Sequence, residues 1–71
     1  MIFDYSELIG RIKTRFKTQR AFAQAMNMSL SALNQRLNNK IEWRSRDILK
    51  ACELLKIGKD EVSTYFFTLI V

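Results

Sequence analysis

The stretch QRAFAQAMNMSLSALNQRL, residues 19–37, decides the fold. Its apolar side chains recur at helical spacing: Phe22, Ala23 and Met26 share one face of a first segment, and Leu33 and Leu37 share one face of a second. Thr18 stands where a hydroxyl caps a helix from Gln19 to Met26, and Ser29 where one caps a helix from Leu30 to Leu37. Between them Asn27 tolerates left-handed backbone better than any residue but glycine, so a sharp turn is predicted there. Ala23 is small where two helices joined so tightly must approach, and Met28, Leu33 and Leu37 are predicted to face inward.

Working outward, Asp4 followed by Glu7 has the spacing of a helix cap with its capping-box partner, and Leu8, Ile12 and Phe16 recur every four residues behind it. A first helix is predicted at about Tyr5 to Lys17. Its outer face carries Arg11, Lys13, Arg15 and Lys17, cations that suit the negative end of the helix. Gly10 lies inside it, at a cost of about 1 kcal/mol against alanine, which fits either a close crossing or simple tolerance. Downstream, Asn38, Asn39 and Lys40 end the third helix, and a fourth starts at Arg44 or Ser45 with Ile48, Leu49, Cys52 and Leu55 as its buried stripe. Gly58 breaks the chain, and Asp60 with Glu61 opens a short fifth helix containing Val62, Tyr65 and Phe66. The apolar tail, Phe67 to Val71, must pair with Met1 to Phe3, pack on the core, or meet a second copy. The prediction is an all-α fold, a compact five-helix bundle, in one domain spanning residues 1–71.

The composition agrees. At 71 residues, 48% of them hydrophobic and 27% charged, the chain has room for one core and the balance of a folded domain rather than a disordered segment. Lys and Arg number 12 against 7 acids, a formal charge of +5 that favours an anionic partner. With no histidine and one cysteine, the usual Cys/His zinc sites and histidine-based triads are excluded by count, and Cys52 reads as a small buried hydrophobe. No nucleophile–base pair or phosphate-cradling glycine loop is present, so no enzyme and no cofactor are expected. No apolar run approaches the roughly 18 residues that cross a bilayer, which predicts a cytoplasmic protein without a membrane partner.

Two short helices joined by a tight turn are what a helix-turn-helix requires, here at residues 19–37. The pattern Thr18, Gln19, Phe22, Ala23, Met26, Met28, Ser29, Leu33, Leu37, Asn38 resembles the Cro and lambda-repressor family, so the resemblance implies a lambda-repressor-like bundle. The chain also resembles a group of short phage proteins from Gram-positive hosts, with Phe3, Asp4, Tyr5 at its start and Tyr65, Phe66, Phe67 near its end. The first resemblance implies that Gln19 touches a phosphate, with Arg20 beside it and Ser29 at the front of the recognition helix. It further implies that Leu30, Ser31, Ala32, Asn34 and Gln35 face base edges, and that Arg36, Asn38, Asn39 and Lys40 meet the backbone. Asn34 and Gln35 are the best readers, because an amide pairs bidentately with adenine at about 1–3 kcal/mol of discrimination. Three residues depart from the family pattern: Leu30 replaces a polar reader, Asn39 a common glycine, and Arg44 a capping Thr or Ser.

Two functions follow from these readings. One is a phage-type transcriptional regulator of a lysis/lysogeny switch that binds a double-stranded DNA operator, as a homodimer if it is to read enough bases. The other is an antirepressor that keeps the scaffold but docks on the cognate phage repressor, for which Leu30 and the apolar tail are the motive.

Overall fold

In both Thr18 and Ser29 an extended backbone turns the side chain back onto the helix that follows. Ala21 N donates to Thr18 Oγ1 at 3.1 Å and Ala32 N to Ser29 Oγ at 3.0 Å. The computed structural model describes residues 2–70. Among them are five α-helices: α1 (Ser6–Phe16), α2 (Gln19–Ala25), α3 (Leu30–Leu37), α4 (Ser45–Leu55) and α5 (Val62–Phe66), with a 3-10 turn at Lys59–Glu61 leading into the last. The expected all-α bundle is what the chain forms. Asn27, at φ 60°, makes the left-handed turn between α2 and α3.

Helix α1 packs against α2, α4 and α5, and α2 packs against α3. Phe22, Phe66, Leu8, Ile12, Leu33 and Leu55 are the largest side chains fully removed from water, and Ala23 and Ala51 are sealed among them. Phe16 meets Phe22 edge-on at 5.3 Å, closing the α1–α2 contact. Cys52 is buried as expected, and burial pushes its thiol pKa up.

Several expectations need correction. Asp4 does not cap α1 together with Glu7. Its Oδ1 accepts from both the backbone N–H and the hydroxyl of Ser6, a local turn, and these bonds hold the Asp4 carboxyl below its usual pKa. Tyr5 therefore precedes the helix without a side-chain cap. Leu49 is not part of the α4 stripe, since it is 71% exposed while Ala51 fills the inner position. The helix buries positions 51, 52 and 55 with Ile48 half-buried at the edge, and residue 49 lies a further 100° around from 48. A Cβ added at Gly10 meets nothing within 4 Å, so tolerance and not a close crossing explains that glycine.

Arg11, on the face of α1 away from its apolar stripe, reaches another helix: its Nε donates to Leu55 O at 2.8 Å and its Nη2 to Lys56 O at 2.6 Å. Those carbonyls are among the last of α4, where the helix ends in a left-handed Lys56 at φ 58°. A cation there satisfies orphan acceptors and the negative end of the dipole together. The guanidinium also lies 5.8 Å from the centre of the Tyr65 ring.

The tail takes the first of its three expected courses. Phe3 and Leu69 form an antiparallel bridge, Asp4 N donates to Thr68 O at 2.7 Å and Ile70 N to Ile2 O at 3.1 Å. Phe3 meets Phe67 edge-on at 5.8 Å. The parts of this expectation that fall on Met1 and Val71 lie outside the described residues.

Candidate functional site

The outward side of α3 is set by what its inward side must bury. Leu33 and Leu37 point into the core, which turns Ser31, Asn34, Gln35 and Asn38 to solvent, with Leu30 and Ala32 half-buried at the edge. Leu30, Ser31, Asn34, Gln35, Asn38 and Lys40 line a shallow depression along this face. Gln19 is half-buried at the start of α2, and Arg20 beside it is exposed. Of the twelve residues singled out in the sequence, six thus share one surface, and Gln19 and Arg20 belong to the neighbouring helix.

Not all of their side chains are available to a partner. Arg36, the single cation of α3, turns inward: its Nη1 donates to Ala32 O at 3.0 Å and its Nη2 lies 3.6 Å from Asp47 Oδ2, with both side chains less than a fifth exposed. Asp47 sits in the first turn of α4, where a carboxylate also suits the helix dipole, so the pair ties α3 to α4. Asn38 Nδ2 donates to Asn34 O at 2.7 Å, and the Ser29 hydroxyl is engaged in its cap. Asn39 has left-handed backbone at φ 62°, which accounts for an asparagine where glycine is common. Its amide pairs with both backbone groups of Phe3: Phe3 N donates to Asn39 Oδ1 at 2.9 Å and Asn39 Nδ2 donates to Phe3 O at 3.0 Å.

The side chains left to the surface are Ser31, Asn34 and Gln35, with Arg20 and Lys40 as flanking cations. Such a face offers amides and a hydroxyl as donors and acceptors, a patch of apolar area at Leu30, and little charge. The turn that follows α3 is fixed by Lys40 N and Ile41 N, which donate to Gln35 O at 2.8 and 3.2 Å. Lys40 is thereby held at the border of the depression.

The family model described as "Protein of unknown function (DUF739)" matches residues 1–69. The chain belongs to this family. Among solved structures, this DUF739 protein is similar to the modulator of repression (MOR) of the temperate bacteriophage TP901-1 from Lactococcus lactis, known from a solution structure. The two are 39% identical with a TM-score of 0.83, and the likeness covers 94% of this chain and 90% of that one. No curated protein matches significantly. The resemblance of this DUF739 chain to short phage regulators extends over nearly its whole length. No described helix is long and apolar enough to cross a membrane.

Two features were missed by sequence reasoning. The inward turn of Arg36 depends on Asp47, eleven positions on and in another helix, and no local pattern announces it. The Asn39 clamp joins residues 36 apart, although the family glycine at that position was a hint of its backbone shape.

Proposed function

We propose that this protein modulates phage repression by docking its α2–α3 face, a helix-turn-helix in form, on the cognate phage repressor and keeping that repressor off its operator. The observation that carries the reading is the likeness, over 94% of the chain, to a protein named as a modulator of repression. The geometry supports it. Duplex DNA is held chiefly by cations that neutralise phosphates. The only cation of α3 is withdrawn to Asp47, and Leu30 supplies apolar surface where a base reader is usual. A partly apolar face with a few amides and its cations, Arg20 and Lys40, only at the flanks suits a protein surface better. The protein then acts as a binding module and not an enzyme, without cofactor, in the cytoplasm of the bacterial host.

Direct operator binding is the second reading, favoured by the exposure of Asn34 and Gln35 and by the net charge of +5. A homodimer would then present its third helices to half-sites about 34 Å apart.

A gel shift with operator DNA, run with and without purified repressor, separates the two. Under the first reading the protein alone shifts nothing and dissolves the repressor–operator band, and Leu30→Asp loses that effect. A Leu30→Asp complex within about threefold of wild-type affinity, a difference of well under 1 kcal/mol, counts decisively against repressor docking through this face. Under the second, the protein shifts DNA alone and Asn34→Ala with Gln35→Ala removes operator preference while weak, salt-sensitive binding remains.

A further inference from the structure

Beside the α3 depression lies a second concavity of about 660 Å³, walled by Phe3 and Phe67 from the paired termini, by Ile41 and Trp43 from the segment after α3, and by Ile48 of α4. Lys40 borders both hollows, so a surface that covers the outer side of α3 reaches the mouth of the groove without a gap. The rim is apolar and wet: Ile41 is 41% and Phe67 49% exposed. Large apolar side chains held at a concave edge in this way mark interaction surface more often than isolated exposed residues do.

A second, independent observation concerns Trp43. Its indole meets Tyr5 at 6.4 Å and Phe66 at 5.2 Å, both edge-on, while its Nε1–H is buried with no hydrogen-bond partner among the described residues. An unpaired buried donor is unfavourable and rare. Residues 42–44 belong to no helix, and a partner reaches the sealed N–H only if this segment shifts on binding.

We propose that the groove seats an apolar side chain of the phage repressor, and that the indole N–H of Trp43 donates to a carbonyl oxygen beside that side chain. This rests on the repressor-docking reading and extends it: α3 supplies the polar half of the contact and the groove supplies the anchor. The occupant is uncharged at its tip, because the floor and much of the wall are aromatic and aliphatic, with Asn39 and Ser45 among the polar lining and one cation, Lys40, matched by one acid, Glu42. A neutral anchor in a pocket ringed by polar contacts is how most interface affinity is concentrated.

The test uses the full chain and purified cognate repressor in calorimetric titrations, together with the NMR resonance of the single indole N–H. Ile41→Ser with Phe67→Ser removes mostly rim area, at some cost from the lost Phe3–Phe67 contact, so the fold should survive, checked by a cooperative thermal transition well above the assay temperature. Affinity for the repressor should fall about tenfold or more. Trp43→Phe keeps an aromatic ring but removes the donor, and should weaken binding about threefold to tenfold without loss of stability. On adding repressor to the wild-type chain, the indole resonance should move downfield as its proton finds an acceptor.

Wild-type affinity in the rim variant, with Leu30→Asp still defective, overturns the seat and leaves the docking reading intact. No complex with the wild-type chain overturns both. A rim variant that binds repressor normally but turns a dimer into a monomer assigns the groove to a second copy of this chain and refutes the proposal. Unchanged affinity in Trp43→Phe, or a stationary indole resonance, refutes the hydrogen bond.

Discussion

Asn39→Ala is the substitution in which backbone and side chain can be weighed separately. At φ 62° an alanine Cβ crowds its own backbone without the local amide polarity that lets asparagine tolerate this region, a difference of up to about 1 kcal/mol. The two amide bonds to Phe3 are also lost. Both lie at the surface, where water replaces them, so each contributes about 0.5 kcal/mol, the low end for a hydrogen bond. The sum is roughly 1–2 kcal/mol, and at ~4–8 °C per kcal/mol for a domain of this size the midpoint should fall by about 5–15 °C. Asn39→Gly keeps the backbone at ease and loses only the clamp, so its loss should be about 1 kcal/mol. Urea denaturation followed by circular dichroism measures both, and hydrogen exchange at Asp4 and Ile70 reports whether the terminal pairing loosens, since both amides donate across it. If the glycine variant is as unstable as the alanine one, the left-handed backbone is not the reason for asparagine here. If alanine changes stability by less than about 0.5 kcal/mol, the clamp itself has no energetic role.

Other consequences are more direct. Gly10→Ala should stabilise the protein by about 0.5–1 kcal/mol, because the new methyl meets nothing within 4 Å and the helix gains propensity; a lower denaturation midpoint would contradict this. Arg36→Ala should destabilise by about 1–3 kcal/mol through lost packing and an unpaired Asp47, whereas Arg20→Ala and Lys40→Ala should stay within about 0.5 kcal/mol; equal effects in all three would refute the inward placement of Arg36. Burial, with Glu42 nearby, raises the Tyr5 hydroxyl above its ordinary pKa of 10.0, and burial alone raises the Cys52 thiol above 9.0. Both are neutral acids whose protonated form is favoured in the fold. Their contribution is therefore complete below pH 9 and lost as the pH climbs above 9 for Cys52 and above 10 for Tyr5, through their raised values. Stability measured against pH should decline on that alkaline side, and Tyr5→Phe should flatten the upper part of the decline; an identical curve for the variant would rule Tyr5 out.

What was legible in the sequence is what closes within about one helical turn. The hydroxyls of Thr18 and Ser29 reach an amide three residues on, and Asn27 needs only its own backbone freedom, so α2, the turn and α3 follow from adjacent letters. The period of the apolar residues then fixes which side of α3 is buried, and with it the outward set of Ser31, Asn34 and Gln35. Asp4 failed even at this range, because Ser6 offered its carboxylate two nearer donors than the capping box did. Leu49 failed for a different reason, since an apolar letter beside a stripe carries no mark of whether a neighbouring helix covers it.

The character of the candidate site, by contrast, was decided in three dimensions. Arg36 and Asn39 have the chemistry of phosphate contacts, and the sequence by itself specified that chemistry and their place at the end of a helix. Whether those groups face a partner or the protein depends on Asp47 and Phe3, which only folding brings near. The apolar groove was likewise invisible, because its walls come from both termini, the segment after α3 and α4. Short-range geometry is dictated by the backbone's own donors and acceptors, while the direction a long polar side chain takes depends on which distant group completes its hydrogen bonds.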